Sequence, residues 1–184
     1  MQKPTILFST LLMLIFLIGI SCSTEDPFEI PDPDFTTVPP PFDFQGVDPE
    51  EVEEGVLVYV LDEGSGPFEV TSRDNVTVFM SLRTENGTDI YSTFTDNRTS
   101  AIPVSMRIAG DIQVSNQFSI IMSYTPGLKS GMLGMKEGER RTIVVSPEKG
   151  YAGAPDGLLI SQFRDSTLHY DVQVSQISPK KEVN

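Results

Sequence analysis

Pro126-Gly127-Leu128-Lys129-Ser130-Gly131-Met132-Leu133-Gly134-Met135-Lys136-Glu137-Gly138-Glu139-Arg140-Arg141 is the stretch on which the fold turns. It opens with proline, which suits a first helical turn because an amide there has no intrahelical partner to lose. Glycines punctuate its second half. These signals predict one short helix over Pro126 to Met135. On both sides the pattern is β. Downstream, Arg141, Ile143 and Val145 alternate with Thr142 and Val144 until Ser146-Pro147 stops the run. Leu168, Tyr170, Val172 and Val174 then alternate with His169, Asp171, Gln173 and Ser175. Upstream, Val56 to Leu61 is an apolar strand closed by Glu63-Gly64-Ser65-Gly66-Pro67. Val76, Val78, Met80 and Leu82 alternate with Thr77, Phe79 and Ser81. Asn86-Gly87 follows and predicts a two-residue type I′ hairpin, returning through a strand around Asp89 to Thr93. Ala101 to Ile108 reads as a weaker strand. No internal repeat is visible. The fold class is α+β: a small antiparallel sheet with one short helix packed across it.

Composition narrows the chemistry. The 184 residues carry 26 Asp+Glu against 13 Lys+Arg, a formal net charge of -13. Nucleic acid is not an expected partner, because a phosphate backbone needs a basic face. A single cysteine, Cys22, excludes a disulfide framework and any multi-cysteine zinc site. A single histidine, His169, excludes paired-histidine metal sites and weighs against a serine or cysteine hydrolase. No metal or other cofactor is expected, and His169 is read as a surface residue on the sheet face opposite Tyr170. Asp156 and Asp165 read as solvated loop residues.

The charge is unevenly spread. Lys3 precedes an apolar run from Ile6 to Ile20, shorter than the roughly 20 residues a membrane-spanning helix needs. A basic start, apolar middle and small residues at the end predict a secretory signal over 1–21. Gly19-Ile20-Ser21-Cys22 resembles a bacterial lipoprotein signal, which implies lipidation of Cys22 and membrane attachment through that lipid. Ser23-Thr24-Glu25-Asp26 resembles a surface-export signal. The expected location is therefore the outer membrane, facing either the periplasm or the surface. Residues 23–54 hold seven prolines, 11 acidic residues and no Lys or Arg. Proline removes amide donors and like charges extend a chain, so 22–54 is expected to be a disordered, solvated tether. Phe28, Phe35, Phe42 and Phe44 are too sparse for a core, though able to touch the domain or a partner. Residues 55–177 are the expected domain, and 178–184 a tail. The domain is expected to be a monomer.

The order of elements resembles FKBP-type peptidyl-prolyl isomerases. Gly55 to Gly66 is similar to their opening strand and Gly-x-Gly turn, and Val76 to Thr93 to their hairpin. Pro126 to Arg141 follows their Pro-Gly-Trp-x-x-Gly-x-x-x-Met-x-x-Gly-x-[Lys/Arg]-Arg pattern. Val145-Ser146-Pro147-Glu148-Lys149-Gly150-Tyr151 and Thr167 to Val174 match in turn. The resemblance implies an antiparallel half-barrel wrapped around the helix, and an apolar pocket between the two that receives a proline ring. Proline-containing polypeptides would be the substrates.

Such a pocket needs neither nucleophile nor metal. Rotation about an X-Pro bond faces a barrier of about 20 kcal/mol from amide conjugation. Catalysis requires binding the twisted amide better than either planar form. By resemblance, Tyr151 falls on the tyrosine whose hydroxyl donates to a substrate carbonyl. Tyr170 falls on a pocket-wall aromatic that is usually Phe. Leu158 and Leu159 flank the pocket. Tyr124 and Thr125 match an aliphatic pair, of which the second offers its backbone amide. Four positions depart. Leu128 stands for a tryptophan at the pocket floor, Met80 for a tyrosine and Ile90 for a phenylalanine. Tyr91 stands where the family has an aspartate beside the twisting carbonyl, and supplies no charge at neutral pH. Tyr151 and Tyr91 are thus the candidate catalytic positions; the other eight are candidate substrate contacts. The segment before Leu128 is longer than the compact family form, with the extra residues near 110–123. The alternative reading is a catalytically weak, FKBP-like chaperone or peptide-binding module of an envelope assembly.

Overall fold

The computed structural model describes residues 33–95, 104–107 and 125–179, the second of these through its backbone alone. The expected signal, Cys22, Phe28, Tyr124 and the insertion at 110–123 lie outside the described residues. Among the described residues seven strands form one antiparallel sheet: β1 Glu50–Glu53, β2 Val56–Asp62, β3 Asn75–Thr84, β4 Asp89–Ser92, β5 Val104–Arg107, β6 Arg140–Val145 and β7 Leu168–Ser178. Their order is β1-β2-β6-β7-β3-β4, with β5 also paired to β3. Among the described residues one α-helix, α1, spans Pro126–Met132. Among the described residues no helix is long and apolar enough to cross a membrane.

The period-two alternation decides which face is buried. Val56 and Val58 of β2, Ile143 and Val145 of β6, Tyr170 and Val172 of β7, and Met80 and Leu82 of β3 point to one side and are buried there. The registers Val58↔Ile143, Ile143↔Tyr170 and Leu82↔Tyr170 place them in rows across the sheet. Leu128 and Met132 of α1 join the same core. The helix lies very close to β6. A Cβ added at Gly127 would sit 2.4 Å from Cγ1 of Val145, and one at Gly131 would sit 2.4 Å from Cγ2 of Ile143. Those two glycines are therefore the contact surface of the helix, and their missing side chains set its distance from the sheet.

Three expectations change. The helix stops at Met132 rather than Met135: Leu133 has left helical dihedrals, and Met135 instead donates its amide to the Met132 carbonyl. The hairpin turn is a three-residue loop, not the two-residue type I′ form. Gly87 N–H bonds the Thr84 carbonyl and Thr84 N–H bonds the Thr88 carbonyl, leaving Glu85, Asn86 and Gly87 in the loop. Gly87 supplies positive φ there, at +81°.

The third change is larger. Residues 33–54, expected within a solvated tether, are built into the domain. β1 pairs antiparallel with β2 through Glu50↔Val58 and Glu51↔Leu57. Glu53 reaches the helix, accepting from Ser130 Oγ at 2.6 Å and pairing with Lys149. Those two partners, Lys149 foremost, hold its carboxyl below the usual range. Upstream, residues 37–44 cross the outer face of the sheet. Phe42 N–H donates to Asp171 Oδ2 at 3.1 Å, and the Pro39 carbonyl accepts from Arg83. The Thr37 hydroxyl donates to the Phe94 carbonyl. Phe44 lies against Tyr59, centroids 4.6 Å apart, and edge-on to His169. Arg140 sits 4.3 Å over the Phe42 ring. Proline does forbid a ladder here, but a strap needs only a few anchored carbonyls and amides, and Arg83 and Asp171 provide them.

His169 is on the face opposite Tyr170, as expected, yet half-buried beneath this strap. Burial pushes its imidazole below the usual range, with Asp171 and Glu85 opposing. Asp165 is exposed; Asp156 is exposed too and pairs with Arg164 at 2.7 Å.

Candidate active site

Thr125 starts the site. Its Oγ1 accepts from Leu128 N–H at 3.2 Å and so caps α1, satisfying one of the amides that a helix start leaves free. The same oxygen lies 3.0 Å from the Tyr170 hydroxyl. Tyr170 reaches it from β7, where alternation turns its ring inward to complete burial. Tyr151 enters from the other side. A 3-10 turn at Pro147–Lys149 is closed by Lys149 and Gly150 amides, and Ala152 N–H returns to the Pro147 carbonyl. This fold-back swings Tyr151 into the core, where it is 5% exposed.

The Tyr151 hydroxyl is buried and meets no hydrogen-bond partner among the described residues. An unpaired buried hydroxyl costs about 1–3 kcal/mol, so its retention calls for a reason. Burial raises its pKa far above the ordinary phenol value, and the neighbouring Tyr170 phenol raises it further. The two phenols are thus close enough to feel each other. Tyr170 is also raised, by burial, against the lowering effect of Thr125 and Tyr151. Both are neutral hydroxyl donors at any physiological pH.

Tyr91 stands on β4 opposite Leu82 and is 8% exposed within the same apolar cluster. Met80 and Leu128 are buried in that cluster, and Ile90 packs against it partly buried. Leu158 and Leu159, at the start of a 3-10 segment Leu159–Phe163, are 42% and 73% exposed. They stand open to solvent rather than in the core, as rim residues would. The structure therefore gathers Met80, Tyr91, Thr125, Leu128, Tyr151 and Tyr170 into one cluster, with Ile90 beside it. The Thr125–Tyr170 bond was not anticipated; its only sequence signal was a tyrosine where the resembled family has Phe. Among the described residues no cluster of His, Cys, Asp and Glu is arranged to hold a metal ion.

Comparisons agree with this geometry. The family described as FKBP-type peptidyl-prolyl cis-trans isomerase matches residues 66–175. FkpA from Escherichia coli is similar in structure, with a TM-score of 0.53, at 23% identity over 73% of this chain and 53% of FkpA. A multi-domain immunophilin from Arabidopsis thaliana gives 0.55 at 21% identity, over 79% of this chain and 50% of its own. The N-terminal domain of FKBP42 from Arabidopsis thaliana gives 0.54 at 20% identity, over 77% and 98%. The chain thus spans about half the length of the first two. No curated protein sequence matches it. At these identities the structural likenesses show the fold; the family match, over more than half of the chain, shows kinship. The chain belongs to the family of FKBP-type peptidyl-prolyl cis-trans isomerases.

Proposed function

We propose that this protein is a peptidyl-prolyl cis-trans isomerase, held to a bacterial outer membrane by lipid on Cys22, that acts on X-Pro bonds of exported proteins. The observation that carries the activity is the Tyr151 hydroxyl, a buried donor among apolar side chains with no partner among the described residues. In a substrate complex it would donate to a carbonyl of the bound chain. Apolar surroundings disfavour the polar planar amide and tolerate the twisted one, which has lost conjugation. Part of the barrier of about 20 kcal/mol is thereby removed without proton transfer. Tyr91 supports the second reading, a binding module of little catalytic power, because it brings no charge to the place where the family carries an aspartate.

Exchange NMR of an X-Pro peptide with the full chain in detergent separates the two. Acceleration above a Tyr151→Phe control is expected. No acceleration, with peptide still bound, would establish the binding module instead. The anchor rests on the apolar run ending at Cys22. Cells expressing the chain should incorporate labelled palmitate, and Cys22→Ser should abolish it; label retained by the variant would overturn the attachment.

A further inference from the structure

We propose that Arg164 is a positioning residue for substrate choice: by holding the Ala154 carbonyl it shapes the loop that presents Leu158 and Leu159 to the residue before proline. This rests on the isomerase reading. The loop leaves the buried cluster at Tyr151 and returns to it at Leu168 and Tyr170. Ala154, Ile160 and Phe163 pack against that cluster, partly buried. Ala154 N–H bonds the Tyr151 carbonyl at 2.8 Å, Ser161 N–H the Leu158 carbonyl at 2.9 Å and Ser166 N–H the Phe163 carbonyl at 3.1 Å. Each of these bonds is local, so none of them joins the outgoing limb to the returning one. Arg164 does. Its Nε donates to the Ala154 carbonyl at 2.7 Å, and its Nη2 donates to the same oxygen. Its Nη1 meets Asp156 Oδ1 at 2.7 Å. One guanidinium thus draws together two limbs ten residues apart.

Between those limbs stand Leu158 and Leu159, consecutive and open to solvent. Two leucines in water gain from whatever apolar surface covers them. In the isomerase reading that cover is the side chain before the proline, and leucine there buries more than alanine does. The three guanidinium contacts are not equal. The Asp156 side chain is almost wholly exposed, so its ion pair holds the loop weakly. The fork on the Ala154 carbonyl is charge-assisted and directional, so it fixes the shape of the loop. A lysine at 164 would keep the charge and lose the fork.

Exchange NMR on the full chain in detergent, with one Leu-Pro and one Ala-Pro peptide, tests this. In the parent, kcat/KM for Leu-Pro should exceed that for Ala-Pro about tenfold. Arg164→Gln should cut that ratio to about twofold. In a background carrying both Leu158→Ala and Leu159→Ala, the same change should move the ratio no further. Asp156→Asn should preserve the ratio; a fall there would assign the role to the ion pair and overturn the carbonyl fork. A merely structural Arg164 would lower both rates together, and an unchanged ratio in Arg164→Gln therefore overturns the proposal. Equal rates on both peptides in the parent overturn it too, while leaving the isomerase reading intact. A parent that accelerates neither peptide overturns both. If Arg164→Gln does not fold, Arg164→Lys must show the fall in ratio instead.

Discussion

Arg141→Met should lower the unfolding free energy by about 3–5 kcal/mol, because it leaves a buried carboxylate without its cation. Arg141 is buried on β6 and pairs through Nε with Glu139. Its Nη1 also donates to the carbonyls of Gly131 at 2.9 Å and Leu133 at 3.1 Å. Those carbonyls belong to the end of α1, where intrahelical donors have run out. A helix of seven residues is far too short to stand alone. One guanidinium therefore neutralises Glu139, caps the helix and ties it to the sheet. Glu139 has a second task, accepting from Lys136 N–H at 2.7 Å in the turn that follows. Arg141→Lys should be nearly as damaging, since an ammonium cannot span the carboxylate and both carbonyls. Adding Glu139→Gln to Arg141→Met should recover part of the loss by removing the stranded charge. Urea unfolding measures all three; a loss below about 1 kcal/mol for Arg141→Met would show the pair to be incidental.

Asp171→Ala should cost a similar amount and also release the strap. Asp171 accepts from Thr142 Oγ1 at 2.8 Å, Phe42 N–H at 3.1 Å and Arg83 Nη1 at 3.0 Å. Arg83 is buried too and pairs with Asp89 at 2.7 Å. Removing Asp171 strips Arg83 of one anion and leaves Phe42 N–H without an acceptor, a loss of about 3 kcal/mol. Limited proteolysis provides the second readout: cleavage within 33–48 should quicken in Asp171→Ala and not in Arg141→Met at matched stability. Equal protection would mean the strap is held elsewhere. Burial raises the Asp171 pKa, with Thr142, the Phe42 amide and Arg83 opposing. The folded state therefore holds its proton more tightly than the unfolded one. The part of stability linked to this titration is greatest at low pH and declines as pH rises from about 3.8 through the raised value.

The strands were legible because alternation is written into them: Val76, Val78, Met80 and Leu82 fill the core as their period requires. The helix was legible from Pro126, but its end was not, since Arg141, on the next strand, supplies the acceptors' partners. The strap was hidden by composition. Acids and prolines usually mean solvation, and only the fold reveals that Arg83 and Asp171 are waiting on the outer face. β1 is similar: Glu50-Glu51-Val52-Glu53 has little intrinsic preference for a strand, and pairing with β2 overrides that. In the site, identities came from resemblance, whereas the Tyr151 hydroxyl without a partner and the Thr125–Tyr170 bond depend on how two distant segments meet.

β1 closes one edge of the sheet. An open edge is a template for pairing with another chain. Here the outermost strand carries Glu50 and Glu51, both exposed. A second copy approaching edge to edge would have to bring carboxylate against carboxylate. Part of the acidity of this protein thus works as a guard, keeping this sheet from pairing edge to edge with its own kind.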